Sequence, residues 1–174
     1  MNLARSAIKT YIQTGDHIHP DLNLPELSVP AGCFVTLHIN GKLRGCVGTF
    51  AGSGPLGENV VRMAIAAAAQ DTRFPPVTKE ELEQIRISIS ILGVLEKVSS
   101  LEEIEKGRHG IYVRLGNRSG TFLPEVAVEQ RWSVAEFVAF CAREKAGLSP
   151  GKCSQAEIFR YEVEKISEDK NKKE

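Results

Sequence analysis

Residues 33–48 read CFVTLHINGKLRGCVG, and this stretch decides the fold that the sequence predicts. Apolar and polar residues alternate on either side of the dipeptide Asn40-Gly41. Asn-Gly tolerates the positive φ values of a type I′ turn, the tight turn that joins two antiparallel strands. The stretch therefore predicts a β-hairpin, and it places Cys46 towards the end of the second strand.

The chain around this hairpin predicts helices and further antiparallel strands. Helical spacing of apolar residues indicates an N-terminal helix that ends at Gly15 and a second helix from about Leu56 to Gln70. Isoleucines at every second position, from Ile85 to Ile91, indicate a half-buried strand. Because strands and helices do not alternate in a regular βαβ rhythm, we predict an α+β fold with a mostly antiparallel sheet flanked by helices.

The second half of the chain predicts another hairpin followed by a helix. Its strands are GRHGIYVRL and GTFLP, joined by a four-residue turn, GNRS, at 116–119. Ser133 and Glu136 have the spacing of a capping box, which opens a helix that runs to about Ala146. This region therefore adds a second set of antiparallel strands.

The C-terminal end of the chain divides into a strand and a tail. Residues 156–166, AEIFRYEVEKI, are predicted as one final strand. Residues 167–174 are almost entirely polar, so we expect a flexible, solvated tail. The domain is accordingly expected to cover residues 1–166.

Composition and charge argue against several classes of protein. Lys and Arg number 22, as do Asp and Glu, so no global field attracts nucleic acid or an anionic membrane. No apolar run approaches the roughly 20 residues of a membrane helix, and the N-terminus lacks the apolar centre of a signal peptide. We therefore expect a cytoplasmic protein whose four scattered cysteines are free thiols.

Cys46 is the first candidate for chemistry. A reactive cysteine needs a lowered thiol pKa, which a nearby cation or general base supplies. Arg44 shares a strand face with Cys46 by the period of two, so its guanidinium is expected near the sulfur. Gly45 and Gly48 would let backbone or substrate approach the thiol closely. The alternative is that Cys46 packs as a small hydrophobic side chain.

His109 is the candidate general base. It lies between Gly107 and Gly110 just before a predicted strand, where loops display functional groups from a rigid edge. The alternative is a histidine that caps a turn through a hydrogen bond to the backbone. A catalytic pair of Cys46 and His109 requires the two hairpins to be neighbours in space, which the sequence does not show.

Two further segments supply candidate binding residues. The segment DTRFPP presents Asp71, Arg73 and Phe74 on a proline-framed loop. An acid and an arginine two residues apart can hold a ligand carboxylate or phosphate, or can pair with each other. Glu125 opens a predicted helix, where the helix dipole favours a carboxylate and where a general base is the alternative.

Signals for metals and cofactors are weak. His17 and His19 lie in a proline-rich loop and lack a second paired cluster of ligands. The sequence has no Walker loop, dinucleotide fingerprint or G-x-S-x-G elbow. We therefore predict that the protein binds no metal, no nucleotide and no other cofactor.

Six fragments, in chain order, resemble the AMMECR domain. They are LRGCVGTF, DTRFPPVTKEEL, ISISIL, GRHGIYV, TFLPEVAVEQRW and RYEVEKI. The resemblance covers nearly the whole chain, and its specific core is Leu43-Arg44-Gly45-Cys46-x-Gly48, with Val47 where the family usually has isoleucine. It implies an α+β protein of two closely packed lobes, with the cysteine-bearing hairpin near the cleft between them.

The resemblance also implies partners. The corresponding prokaryotic protein is component A of the AmmeMemoRadiSam system, which implies association with a Memo-like protein of the extradiol-dioxygenase fold and with a radical-SAM enzyme. The resemblance names no reaction, and two functions stay open. One is a binding component that presents a ligand or substrate to these partners, with Cys46 as a packing or redox-sensitive contact.

The other function is a cysteine-dependent enzyme. Cys46 would attack a small molecule or a modified nucleobase, with Arg44 and His109 activating the thiol and with Asp71 and Arg73 positioning the substrate. We favour the binding component, because the sequence shows no complete set of nucleophile, base and orienting group.

Overall fold

The computed structural model describes residues 1–50 and 54–168. The described chain forms two compact units, the first made of Met1–Leu92 together with 164–168, and the second of Gly93–Val163. Each unit has a four-stranded sheet and its own hydrophobic core. The fold is thus α+β, as predicted.

The first sheet has the strand order β2-β1-β3-β8 and the second the order β4-β7-β5-β6. The elements up to β3 are α1 (Asn2–Thr14), α2 (Pro25–Ser28), β1 (Cys33–Ile39), β2 (Lys42–Thr49), α3 (Leu56–Ala69) and β3 (Arg86–Leu92). The later elements are β4 (Glu96–Lys97), β5 (Gly110–Leu115), β6 (Arg118–Phe122), α4 (Pro124–Glu129), α5 (Val134–Phe140), α6 (Pro150–Cys153), β7 (Glu157–Tyr161) and β8 (Val163–Ser167). Within the described part of the chain, no helix combines the length and apolarity needed to cross a membrane.

The hairpin of β1 and β2 forms as predicted. Ile39 pairs with Lys42 across the two-residue turn. Asn40 and Gly41 have φ values of 51° and 74°, which are the positive values that a type I′ turn requires. The local sequence signal therefore sets the chain reversal that begins β2.

A β-bulge interrupts this hairpin just before the cysteine. Leu37 lies opposite Gly45, but the next residue, His38, lies opposite Leu43. Arg44 is thus the extra residue on the second strand. A bulge bends its strand and re-aims the extra side chain, so the alternation of faces expected at Arg44 does not apply.

Helix α3 packs directly on the hairpin. Its alanine-rich sequence contacts β1 and β2, and α1 packs on α3. A Cβ atom at Gly45 would lie 2.1 Å from the carbonyl oxygen of Ala67, so only glycine lets β2 approach the helix backbone this closely. The alanine-dense stretch of α3 packs close to the sheet because alanine side chains are small.

Strand β3 is buried on both faces rather than half-buried as predicted. Ile87 and Ile89 belong to the core, and Ser88 and Ser90 on the opposite face are only 8% and 5% exposed. The strand lies in the centre of the sheet, between β1 and β8. Thr36 and Phe34 of β1 lie opposite the serines, and β8 lies along the other edge of β3, which periodicity along one strand does not reveal.

The turn between β5 and β6 is shorter than predicted. Leu115 pairs with Arg118, so the loop contains two residues, Gly116 and Asn117, rather than four. Gly116 has φ 56°, and glycine with a positive φ at the first position gives a tight hairpin turn. Arg118 and Ser119 therefore belong to β6.

The predicted strand at 156–166 is in fact two strands of different sheets. β7 pairs with β5 in the second sheet, and β8 lies beside β3 in the first. The break falls at Glu162, whose carbonyl oxygen accepts a hydrogen bond from the N–H of Gly93 (2.8 Å). The apolar pattern continues across this break, so the sequence alone gave no sign of it.

The end of the described chain is also more ordered than predicted for 167–174. Ser167 is the last residue of β8. Glu168 accepts hydrogen bonds from Arg5 on α1, at 2.7 Å to Oε1 and 2.6 Å to Oε2. The rest of the predicted tail, 169–174, lies outside the described residues.

Helix α5 begins at the predicted capping box. The hydroxyl of Ser133 accepts the N–H of Glu136, and the Glu136 carboxylate accepts the N–H of Ser133 in return. The helix continues as one turn of π-helix, Cys141–Lys145, and the chain then leaves it at Gly147, which has φ 63°. The helix therefore begins and ends where the sequence predicts. The turn of π-helix at Cys141–Lys145 was not predicted.

Candidate functional site

The thiol of Cys46 is half-buried on β2 and faces Thr36 on β1. The sulfur lies 3.2 Å from Thr36 Oγ1, and this hydroxyl is its one hydrogen-bond partner among the described residues. A threonine hydroxyl is neither a cation nor a general base. The contact therefore fixes the sulfur but supplies neither of the usual means of activating a thiol.

The main chain of Cys46 is held by the loop DTRFPP. Its N–H donates to Asp71 Oδ2 (2.8 Å), and its carbonyl oxygen accepts from Arg73 Nη2 (3.0 Å). Arg73 also donates to Asp71 through Nε (2.9 Å) and Nη2 (2.7 Å). Asp71 and Arg73 thus pair with each other, one of the two predicted arrangements, and together they clamp the cysteine backbone.

The carboxylate of Asp71 is buried and strongly stabilised in its ionised form. Its side chain is 6% exposed. The Arg73 guanidinium holds the pKa of this carboxyl well below its ordinary 3.8, and the N–H groups of Cys46 and Arg73 act in the same direction against the cost of burial. Asp71 is therefore an anchor rather than a general base.

Arg73 reaches from this anchor into solvent. Its side chain is 56% exposed, and the guanidinium lies 5.6 Å from the centre of the Phe74 ring. Nε and Nη2 carry all its side-chain hydrogen bonds, so Nη1 keeps its donors free of partners among the described residues. Of the predicted binding residues on this loop, Arg73 is the one with open hydrogen-bonding capacity.

Arg44 joins β2 to the same loop from another direction. Its guanidinium binds both carboxylate oxygens of Glu81 (2.8 and 2.9 Å) and the carbonyl oxygens of Pro75 (2.9 Å) and Pro76 (3.2 Å). The hydrogen bonds that Arg44 donates to the Glu81 carboxylate raise the pKa of Arg44 above its ordinary value. Of the two arginines, Arg73 is the one whose guanidinium contacts Cys46, through the carbonyl oxygen. The bulge re-aims the side chain of Arg44 towards Glu81.

The two glycines beside the cysteine are explained by packing inside the protein. Gly45 makes room for the backbone of α3, as described above. A Cβ atom at Gly48 would lie 2.1 Å from the ring of Phe34. Their predicted part in letting a ligand approach stays a prediction.

Exposure separates Cys46 from two of the other cysteines. All four are free thiols. Cys33 and Cys141 are fully buried, and burial raises the pKa of each to about 12. Cys46 and Cys153 are only half-buried. Reagents that need a thiolate can therefore reach Cys46 but not the core thiols.

His109 belongs to the second unit, whereas Cys46 belongs to the first. Its Nδ1 accepts the N–H of Glu105 (2.8 Å), which is the turn-capping role considered above. Burial lowers the pKa of His109, and the charges of Arg160 and Arg108 lower it further. The neutral ring therefore carries its proton on Nε2. Its pairing with Cys46 stays a prediction.

The AMMECR1 family matches residues 1–166 of the chain. The protein belongs to the AMMECR1 family. It is similar to protein MK0488 of Methanopyrus kandleri, with 40% identity over 97% of this chain and 86% of that protein. A protein of Thermotoga maritima is 38% identical over 91% of each chain.

A solved structure shares the AMMECR1 fold. The crystal structure of uncharacterized protein PH0010 from Pyrococcus horikoshii matches with a TM-score of 0.86 and 36% identity, covering 97% of this chain and 89% of that one. The fold is thus common to nearly the whole length of both proteins. Family membership, predicted from the six fragments, is confirmed.

The remaining predicted residues of this AMMECR1 protein have local contacts of their own. Glu125 is in the first turn of α4, as expected from the proline before it. His17 packs edge-on against Tyr11, with ring centres 5.3 Å apart. Among the described residues, no three His, Cys, Asp or Glu side chains form a group suited to a metal ion.

Sequence reasoning missed two residues of the site, Thr36 and Glu81. Thr36 contacts the sulfur only because the bulge shifts the hairpin register by one residue. Glu81 forms a capping box with Thr78, and it also binds Arg44. Regular hairpin pairing would place Thr36 opposite Gly45, so no local signal pointed to Thr36 or to the second role of Glu81.

Proposed function

We propose that this AMMECR1-family protein is a ligand-binding component that acts with a Memo-like protein and a radical-SAM enzyme, and that it holds its ligand beside Cys46. The observation that carries this proposal is the half-buried thiol on a main chain clamped by Asp71 and Arg73. A clamped backbone presents a ligand contact in one fixed position, which lowers the entropic cost of binding.

The open donors of Arg73 indicate the chemistry of that ligand. Nη1 has no partner among the described residues, and the side chain is more than half exposed. Asp71 fixes the other edge of the guanidinium, so the group is oriented before a ligand arrives. Arginine in this arrangement binds a carboxylate or phosphate group well. The ligand is therefore expected to carry an anionic group.

The partners rest on the resemblance of the LRGCVG motif and its companion fragments to component A of the AmmeMemoRadiSam system. A radical-SAM partner would supply the difficult chemistry through its own cofactor. A binding component then needs only to position a ligand, which matches a thiol that contacts a hydroxyl rather than a base.

The second candidate function is a cysteine-dependent enzyme with Cys46 as nucleophile. Its supporting observation is that Cys46 is accessible, whereas Cys33 and Cys141 are buried. An activated nucleophile would also need a cation or base at the sulfur. Arg73 contacts the carbonyl oxygen of Cys46 and is itself paired with Asp71, so its charge is already balanced.

Alkylation kinetics distinguish the two functions. The rate at which iodoacetamide modifies Cys46 at mildly acidic pH is measured by mass spectrometry and compared with glutathione under the same conditions. The binding function expects a rate no greater than that of glutathione. A rate many times that of glutathione would establish an activated thiol and favour the enzyme. Cys153, also half-buried, is the internal control for accessibility.

Affinity purification tests the partners. The tagged protein, recovered without oxygen from the organism that encodes it, is expected to retain the Memo-like and radical-SAM proteins. The variant Arg73→Gln should retain both, because the proposal assigns this residue to the ligand. Loss of both partners from the unmodified protein, under conditions that keep iron–sulfur clusters intact, would contradict the proposed association.

A further inference from the structure

The second unit contains a large charged cavity that the proposed function does not use. Its volume is about 890 Å³, within the range of small-molecule sites. Five glutamates and two arginines line it, so the formal charge of the lining has an excess of three negative charges. His109 and Tyr161 also contribute to the wall. A lining this polar indicates a ligand with charged groups.

His109 presents a hydrogen-bond donor to this cavity. The residue is only 6% exposed, and its Nδ1 is occupied by the N–H of Glu105. Nε2 therefore carries the proton, and no described residue accepts it. Every buried side-chain nitrogen or oxygen among the described residues has a hydrogen-bond partner. Because Nε2 has none, it is open to solvent. His109 lines the cavity, so Nε2 faces the solvent there.

The surroundings of His109 favour an acceptor with negative charge. Burial lowers the pKa of His109, and Arg160 and Arg108 lower it further, so the ring stays a neutral donor beside two cationic side chains. Both arginines are held in place by ion pairs: Arg108 with Glu162 (2.6 Å), and Arg160 with Glu96 (3.0 Å). An oxygen of a carboxylate or carbonyl group fits this end of the cavity.

The rest of the lining favours a cation. Glutamates outnumber arginines, and the side chain of Glu102 makes no hydrogen bond or ion pair with another described residue. An ammonium group near these carboxylates would balance part of the excess charge. The cavity thus combines an open donor on a largely buried ring, beside two arginines, with a wider lining that has an excess of negative charge.

We propose that this cavity binds a small zwitterion of the amino-acid or short-peptide class. Its carboxylate or carbonyl oxygen accepts the hydrogen bond of His109 Nε2, and its ammonium group faces the surplus glutamates. A nucleotide or other polyanion is disfavoured by the excess of carboxylates. A metal ion is disfavoured because Nε2 holds a proton and offers no lone pair. A polyamine would leave the Nε2 donor unsatisfied.

Calorimetric titration of the full-length protein tests this assignment with three probes. Lysine combines a carboxylate with ammonium groups, acetate is the carboxylate alone, and putrescine is the cation alone. Lysine is expected to bind at about millimolar concentration, and each of the other two probes at least about ten-fold more weakly. In a long-range ¹H–¹⁵N spectrum, lysine should also shift the Nε2 signal of His109 in a saturable way.

Two variants locate the site. In His109→Asn, the amide oxygen can still accept the N–H of Glu105, but the donor at the Nε2 position is lost, so lysine affinity should fall at least about ten-fold. Glu102→Gln removes one surplus charge and should weaken lysine several-fold. The matched control is His19→Asn, an exposed histidine of the first unit, which should bind as the parent does.

Three results would overturn the proposal. The first is no saturable lysine binding up to tens of millimolar. The second is binding of acetate or putrescine as tight as that of lysine. The third is unchanged lysine affinity in His109→Asn. If that variant fails to fold, the Nε2 shift in the parent and the Glu102→Gln affinity decide. Neither Cys46 nor the proposed partners enter these measurements.

Discussion

The Cys46 site and the His109 cavity use similar residues in opposite ways. At Cys46, the buried carboxylate of Asp71 accepts hydrogen bonds at both oxygens, from the Arg73 side chain and from two main-chain N–H groups. In the cavity, the ion pair of Arg108 with Glu162 is exposed, and the buried ring of His109 has a donor without a partner in the described chain. The Asp71 carboxylate of the first site is thus saturated with hydrogen bonds, whereas the His109 donor of the second is open.

This difference separates groups that hold structure from groups that are free to bind. A buried ion with every hydrogen bond made is costly to disturb, because its removal leaves buried donors unsatisfied. Exposed ion pairs contribute little to stability, so they can rearrange around a ligand. Mutation of the buried Asp71 carboxylate should therefore act on stability, whereas mutations of the exposed charges in the cavity should act on binding.

The largest expected effect comes from glycines that flank the two sites. Gly45→Ala places a Cβ atom 2.1 Å from the Ala67 carbonyl oxygen, so the backbone of α3 must move, and we expect a loss of about 3 kcal/mol or more in unfolding free energy. Gly110→Ala meets the buried Tyr161 ring at 2.5 Å, where a side chain rather than a helix backbone must move, so we expect a smaller loss. Urea unfolding measures both.

Gly151→Ala is the matched control for this pair. No atom lies within 4 Å of the added Cβ, so stability should change by less than about 1 kcal/mol. A Gly45→Ala protein as stable as the parent would show that α3 and β2 can separate without cost. The close packing assigned to the cysteine-bearing strand would then be wrong.

The second prediction compares a buried carboxylate with an exposed one. Asp71→Ala leaves the N–H groups of Cys46 and Arg73 without their acceptor, so we expect a loss of about 2–3 kcal/mol at neutral pH. Glu102→Ala in the cavity removes no hydrogen bond of that side chain, and should change stability by less than about 0.5 kcal/mol. Urea unfolding at pH 7 checks both values.

The same pair of variants has a distinct pH dependence. The folded-state pKa of Asp71 is lowered, so its contribution is present above the ordinary value of 3.8 and is lost as the pH falls below it. The stability difference between the parent and Asp71→Ala should therefore shrink in acid. A difference that stays constant from pH 7 to pH 3 would mean that the Asp71 carboxylate is not specifically stabilised by folding.

The sequence predicted those parts of the fold that depend on local signals. Asn40-Gly41 fixed the first hairpin, and the capping box at Ser133 fixed the start of α5, because both act within a few residues. The division of 156–166 into β7 and β8 depends on which sheet each strand joins. That choice is made by distant parts of the chain, so a continuous apolar pattern could not show it.

The candidate site shows the same limit at the scale of one residue. In a regular two-residue hairpin, Thr36 would face Gly45, and the bulge at Arg44 moves it to face Cys46. The sequence placed Asp71 and Arg73 on one loop and allowed for their pairing, but not their hold on the cysteine backbone. A single unpaired residue thus changed which guanidinium and which hydroxyl contact Cys46.

A third, smaller effect distinguishes two arginines. Arg44 is 13% exposed and binds Glu81 with two parallel hydrogen bonds, so Arg44→Lys should cost about 1–2 kcal/mol through loss of that geometry. Arg108 pairs with Glu162 at the surface, so Arg108→Lys should leave the thermal midpoint within error of the parent. If Arg44→Lys and Arg108→Lys lowered the thermal midpoint equally, the half-buried ion pair would stabilise the protein no more than the surface one.

The smallest expected effect is the pH response of His109. Burial, aided by Arg160 and Arg108, lowers its folded-state pKa below the ordinary 6.5, so the unfolded chain takes up this proton first as the pH falls. The parent should lose a little stability relative to His109→Asn between pH 7 and pH 5, as measured by urea unfolding of both proteins. A relative gain would mean that the folded protein prefers the protonated ring. The nearby glutamates would then dominate the field at Nε2, and the cavity would present its negative lining up to the ring itself.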